Sequence, residues 1–157
     1  MNTRYATSKD IRELVRVINL AYRVEDFFID GDRTNAADVK SRMETPGACF
    51  IVVDADNPDS LAAAVFVDVH DKRGHFAVLS VDPAFQGKGL ARTLIDAVED
   101  HCRRAGCHSL DLEVVNLRAE LPPFYAKFGF KPSGTSPFTD TDKLKQPAHL
   151  DLMTKAL

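Results

Sequence analysis

Residues 79–101 read LSVDPAFQGKGLARTLIDAVEDH. An apolar run from Leu79 to Val81 meets Pro83, and a glycine-bearing hexamer, Gln86 to Ala91, then opens a helix. Leu90, Leu94, Ala97, Val98 and Cys102 fall on one stripe of that helix. Glycine costs about 1 kcal/mol inside a helix, so two glycines flanking Lys88 at a helix start ask for a reason beyond helix formation. A strand, a glycine turn and a helix N-terminus together make an anion site. The first N–H groups are unpaired, the helix dipole adds positive potential, and bare backbone lets a phosphate come close. Two phosphate loops can be tested against it. A P-loop needs Ser or Thr after its lysine, and Lys88 is followed by Gly89. A dinucleotide fingerprint needs a third glycine where Arg92 stands, so neither fits.

The segments on either side give an alternating α/β pattern. On the N-terminal side, Thr3 to Ala6 reads as a short strand. Thr7 caps a helix over 8–23 with Asp10 as its capping-box partner and Ile11, Leu14, Val15, Ile18 and Tyr22 as its apolar stripe. A second helix is predicted from near Thr34. Phe50 to Val53, residues 61–70 and residues 75–81 then read as three strands with short turns, an antiparallel meander. On the C-terminal side, Gly106 follows the 89–104 helix as its C′ residue. In SLDLEVV (109–115), Leu110, Leu112 and Val114 share one face, and Asp111, Glu113 and Val115 the other. LPPFYAKFGF reads as a short helix with prolines in its first turn and Gly129 as its stop. A strand starts at Phe130, residues 133–148 read as a polar loop, and 149–157 as a closing strand. No repeat or linker interrupts the chain, which predicts one α/β domain over 1–157 with a mixed sheet and a parallel crossover around 75–115.

Composition sets the outer limits. The 157 residues carry a net charge of -3, so nucleic acid is not expected as a partner. Cys49, Cys102 and Cys107 are odd in number and irregular in spacing, which predicts free thiols in a reducing compartment, with no disulfide framework and no metal site. MNTRYATSKD has no apolar h-region, and LAAAVFV (61–67) is too short to span a bilayer. The expectation is a cytoplasmic protein without a membrane partner.

Three stretches carry a family resemblance. Gln86-Gly87-Lys88-Gly89-Leu90-Ala91 fits Gln/Arg-x-x-Gly-x-Gly/Ala and follows SVDP; LDLEVVN and PFYAKFGF come downstream. Together with the element order they resemble the GNAT acetyltransferase superfamily. The resemblance implies a single-domain GNAT-like fold: a mixed, mostly antiparallel sheet of six to seven strands, about four helices, and a splayed central parallel strand pair. It implies acetyl-CoA as the acetyl donor, with its pyrophosphate on the backbone of Gln86, Gly87, Lys88, Gly89, Leu90 and Ala91, joined by Arg92. Its pantetheine arm would pair with the open strand edge at Leu79, Ser80 and Val81. Pro83, unable to donate to a ladder, agrees with a strand that ends there.

The chemistry implied is acetyl transfer to a primary amine of a small molecule or peptide. Tyr125 falls at the family's tyrosine, as general acid toward the leaving thiolate. Glu113 is the first candidate for base, because ribosomal-protein alanine N-acetyltransferases, which this segment resembles, have the same Glu-to-Tyr spacing. His75, His149 or a water relay are the alternatives. The family's cofactor-touching asparagine corresponds to Asn116, which sits closer to Glu113 than in those enzymes; Arg118 occupies the matching spot. Acids and aromatics at 25–32 and 138–142 suit a cationic acceptor. Family members are commonly dimers, which implies a homodimer by analogy alone. A rival reading keeps the cofactor loop and idles the catalytic groups, giving a non-catalytic acyl-CoA sensor.

Overall fold

The unbroken apolar run 61–67 becomes the middle of the sheet, where a strand is covered on both faces and has no polar side to alternate with. The structure, a computed structural model, describes residues 2–157. Its strands are β1 (Thr3–Tyr5), β2 (Ala48–Asp54), β3 (Leu61–His70), β4 (Arg73–Val81), β5 (Ser109–Val115), β6 (Lys131–Pro137) and β7 (His149–Ala156). Its helices are α1 (Ile11–Ala21), α2 (Ala36–Glu44), α3 (Leu90–Arg104) and α4 (Leu121–Ala126). The seven strands form one sheet in the order β1-β2-β3-β4-β5-β7-β6, with β4–β5 parallel and the other neighbours antiparallel.

Two apolar layers cover the sheet. Leu90, Leu94, Ile95, Val98 and Cys102 of α3 press on Ile51, Val53, Val65 and Leu110, and Tyr125 of α4 joins this layer. Leu14, Val17 and Ile18 of α1 and Val39 of α2 press on Phe50, Val52 and Phe66 from the other face. Leu14, Val17, Leu94 and Ile95 are fully buried, and each such side chain contributes about 1.5–3 kcal/mol. No helix of the described residues is long and apolar enough to cross a membrane.

The predicted elements differ from the structure in three places. The 8–23 helix is divided: Thr7 and Asp10 form the expected capping box, but on a 3-10 turn (Ser8–Asp10), and Tyr22–Glu25 is 3-10 again. The third strand of the meander starts at Arg73, two residues before His75, because the hairpin turn tightens to Asp71-Lys72. The predicted loop 133–148 begins inside a strand: β6 runs to Pro137 along β7, and Thr141–Lys143 is a 3-10 turn. An exposed edge strand needs no apolar alternation, so KPSGTSP gave no periodic signal.

The central feature is a gap. β4 and β5 pair only through Arg73–His75 and Ser109–Asp111, then part. Between Ala77 and Ser80 the register of β4 against β3 slips by one residue, and Val78 there has φ 50, an unusual conformation for a β-branched residue. A bulge bends and twists its strand, and here the bend lies just past the point where β4 leaves β5.

Candidate active site

The gap opens into a cavity of about 370 Å³. β4 lines it with Phe76 to Leu79, β5 with Leu112 to Val115, and α4 with Tyr125. Beyond His75 the edge of β4 has no strand partner on this side among the described residues, so the backbone groups of Leu79, Ser80 and Val81 that do not face β3 stand along an unpaired edge. Ser80 turns its hydroxyl back to the Val78 carbonyl at 2.8 Å, and Leu79 and Val81 pack against the α3 layer. This is the edge predicted to hold a pantetheine arm.

The glycine hexamer closes the end of that edge. Gly87 and Gly89 have φ 79 and φ 76, the left-handed region that glycine enters without penalty. A Cβ at either would meet no protein atom within 4 Å, so the space above them belongs to the outside of the loop. α3 starts with Gly89 as its N-cap, without a capping side chain and without an acid in its first turn. Lys88 and Arg92 rest over the rings of Phe85 and Phe128. Open N–H groups, a helix dipole, two nearby cations and no competing carboxylate fit a pyrophosphate. The loop is held from behind. Arg16 of α1 bonds Asp82 at 2.9 Å and the Leu61 carbonyl at 3.0 Å, while Asp82 accepts from the Ala84 N–H.

Tyr125 and Glu113 reach one cavity from different layers. Tyr125 is buried on the α3 side among Phe76, Phe124 and Phe130. Its hydroxyl has no hydrogen-bond partner among the described residues, and burial raises its pKa. Glu113 lies on the other face of β5, beside His75 of β4, with Nε2 of His75 2.6 Å from its Oε2. Nδ1 of His75 lies 2.8 Å from Asp68, whose second oxygen lies 2.8 Å from Nε2 of His70. Burial works against the charge on His75, but the bonds to Asp68 and Glu113 outweigh it and raise its pKa to about 9. His149 stands apart from this group, 3.0 Å from Asp151. Asp68 was missed by sequence reasoning. The signal was present: across the tight hairpin Asp68 is the register partner of His75.

The β5–α4 connection carries the two remaining predicted residues. Asn116 is tied to β7: its N–H donates to the His149 carbonyl at 2.9 Å and its Oδ1 accepts from the His149 N–H at 2.8 Å. Its side-chain NH₂ keeps its donors. Arg118 holds Glu25 at 2.8 Å and Glu120 at 3.1 Å. The mouth of the cavity is less acidic than the sequence suggested. Glu25, Asp26, Asp30, Asp32, Phe138 and Asp140 line it, but so do Arg23, Arg33 and Lys143. Arg23 pairs with Asp32, Lys143 with Asp140, and Lys145 with Asp30. Phe28 is core and not mouth. Backbone bonds from Asp30 to Lys143 and from Lys145 to Phe28 join the two mouth segments.

Comparison with known proteins extends these observations. A profile of the acetyltransferase (GNAT) family matches residues 12–130. Mycothiol acetyltransferase of Gordonia bronchialis is 30% identical over 131 residues, 80% of this chain and 42% of that protein. The chain spans under half the length of such relatives. The Escherichia coli ribosomal-protein-S18-alanine N-acetyltransferase superposes with a TM-score of 0.79 at 17% identity, covering 99% of this chain and 92% of that one. YncA of Salmonella typhimurium, solved with its cofactor acetyl-CoA, superposes at 0.76 with 19% identity, covering 99% and 93%. The profile match spans the meander, the glycine loop and the Tyr125 helix, the parts that build and flank the gap. With that match the chain belongs to the GNAT acetyltransferase family.

Proposed function

We propose that the protein transfers the acetyl group of acetyl-CoA to a primary amine of a small molecule or peptide. The observation that carries this reading is the parted β4–β5 pair. It leaves an unpaired strand edge leading from an anion-binding helix start to a cavity that Glu113 and Tyr125 share. Gln86 to Arg92 would hold the pyrophosphate, and Leu79, Ser80 and Val81 would pair with the pantetheine arm as an added strand does. Of the two residues after β5, Asn116 is the better cofactor contact, since Arg118 is committed to two carboxylates.

Direct attack on the thioester needs a group to take the amine proton and another to protonate the thiolate. Glu113 would take the first role. Tyr125 would take the second: it lines the cavity, and burial keeps its proton on the oxygen at neutral pH. The test is thiol release from acetyl-CoA with a panel of primary amines. Release stimulated by none of them would remove this reading.

A further inference from the structure

Asp68, His75 and Glu113 form a carboxylate–imidazole–carboxylate chain across three strands. Asp68 and His75 are register partners on β3 and β4, and His75 faces Asp111 on β5. Glu113 is the next residue on that face of β5, placed where β4 and β5 part. The chain therefore ends at the gap. Glu113 lines the cavity; His75 and Asp68 lie behind it, and His70 holds the far oxygen of Asp68 at the exposed end of the hairpin. The charged residues of β4 and β5 beside this chain are already matched. Arg73 grips Asp111 through two bonds of 2.8 and 2.7 Å, and Thr154 donates to Asp111 at 2.7 Å. His75 is thus the cation available to both Asp68 and Glu113.

Acetylation of an ammonium group releases one proton, and a lone carboxylate is a poor receiver for it. A carboxylate of ordinary strength holds a proton at a pKa of about 4.3 and an alkylammonium at about 10.4, a mismatch of about six powers of ten. Proton transfer is most efficient when the two affinities are close. An imidazole held between two carboxylates comes close, with its pKa near 9.

We propose that Glu113, His75 and Asp68 act as one proton-accepting unit, in which Glu113 takes the proton from the acceptor ammonium and passes it to His75, while Asp68 orients the imidazole. This rests on the acetyl-transfer reading above. The ammonium N–H breaks as an O–H forms on Glu113; the freed amine bonds to the thioester carbon, the C–S bond breaks, the Tyr125 hydroxyl gives its proton to the leaving thiolate, and the second proton of the nitrogen restores that hydroxyl. The Glu113 O–H breaks as Nε2–H forms on His75, which accepts the proton in its neutral form, the form that prevails as pH rises past about 9, while its Nδ1–H stays on Asp68. Glu113 is again a carboxylate, His75 is an imidazolium, and the proton passes to solvent once the products leave. His75 and Asp68 are positioning residues in this scheme, since neither touches the substrate.

Two measurements test it. In a ¹⁵N-imidazole NMR titration of the free protein, His75 titrates near pH 9, and Asp68→Asn lowers that midpoint by about one unit or more. A wild-type midpoint near the ordinary value of about 6.5 overturns the proposal. In the thiol-release assay with two amines of different pKa, kcat/KM shows one inflection common to both, near pH 9. Asp68→Asn moves that inflection down by the shift seen in NMR, and Asp68→Glu restores it. His75→Gln abolishes it and lowers kcat/KM about a hundredfold, with KM for acetyl-CoA unchanged. Identical profiles for wild type and Asp68→Asn overturn the unit, because a merely structural Asp68 would change the height of the curve alone. If no amine is acetylated, the acetyl-transfer reading falls and takes the proton role with it, while the NMR midpoint still reports whether the three side chains are coupled.

Discussion

Arg118 donates to Glu25 at 2.8 Å and joins two segments 93 positions apart in the chain. Glu25 belongs to the turn after α1, Arg118 to the β5–α4 connection, and both side chains are nearly buried. Burial raises the Glu25 pKa, and Arg118 pulls it back in part. Removing one partner of a buried pair strands the other, at a cost of about 3 kcal/mol. Arg118→Ala should therefore destabilise the protein by about that amount in urea unfolding at pH 7. The sign of the pH dependence follows from the raised pKa. A carboxyl that binds its proton more tightly when folded loses stability as pH rises through the folded value, so the deficit should shrink toward acid. Glu25→Gln in the same background should recover part of it; a deficit independent of pH would refute the account.

Tyr125→Phe keeps the ring among Phe76, Phe124 and Phe130 and removes only the hydroxyl. If the phenol protonates the thiolate, kcat falls about a hundredfold, while calorimetric affinity for coenzyme A and the unfolding midpoint stay near wild type. An unchanged kcat would assign the acid to another group.

Gly89→Ala separates backbone strain from ligand contact. At φ 76 a Cβ costs about 1 kcal/mol, yet it meets no protein atom within 4 Å. Stability should drop by that small amount; if the loop seats the pyrophosphate as proposed, the methyl group stands in its way and coenzyme A affinity should fall at least about tenfold. Equal losses in stability and binding would argue against a phosphate seat.

Gly74 shows the opposite case, a glycine required by packing. A Cβ there would collide with Sγ of Cys102 and press on Leu110. Gly74→Ala should cost about 1–3 kcal/mol by overpacking. Adding Cys102→Ala removes the sulfur, so the double variant should lose less than the two single losses added together, a coupling that a double-mutant cycle in urea would measure.

Arg4 ties the edge strand to its surroundings through Asp10 and Asp54 at 2.8–3.0 Å. The bonds to Arg4 lower the pKa of both carboxyls. Their contribution is present above the ordinary carboxylate value of about 3.9 and is lost as pH falls through the lower folded values. Melting temperature should fall as pH drops below about 4, and Arg4→Gln should flatten that slope.

Much of this was legible before any coordinates. The 3.6 residue period found α1 and α3 and the 2.0 residue period β5, because burying one face imposes a rhythm on the sequence, while the meander showed as apolar runs between turns. Pro83 and the glycines marked the break between β4 and α3. Local backbone needs show in residue type: Gly87 and Gly89 adopt the left-handed conformation that glycine alone enters freely. β6 escaped, because an exposed edge strand carries no rhythm.

What tertiary structure alone decided lies in pairings between distant segments. Glu113 and Tyr125 could be named from the sequence, but not that they reach one cavity from different layers, nor that His75 would sit between Glu113 and an unremarked Asp68. By position in the chain Arg118 was one of two candidates for the cofactor contact, beside Asn116; that a carboxylate 93 residues away holds it was not legible there. The acids at the mouth looked unbalanced until Arg23, Lys143 and Lys145 arrived to pair with them. The physical reason is one of range. Helix periods, caps and turns are settled within a few residues, so they are written locally. A side chain's charge partners depend on which strands lie side by side, and that is settled only when the whole sheet closes on its two apolar layers.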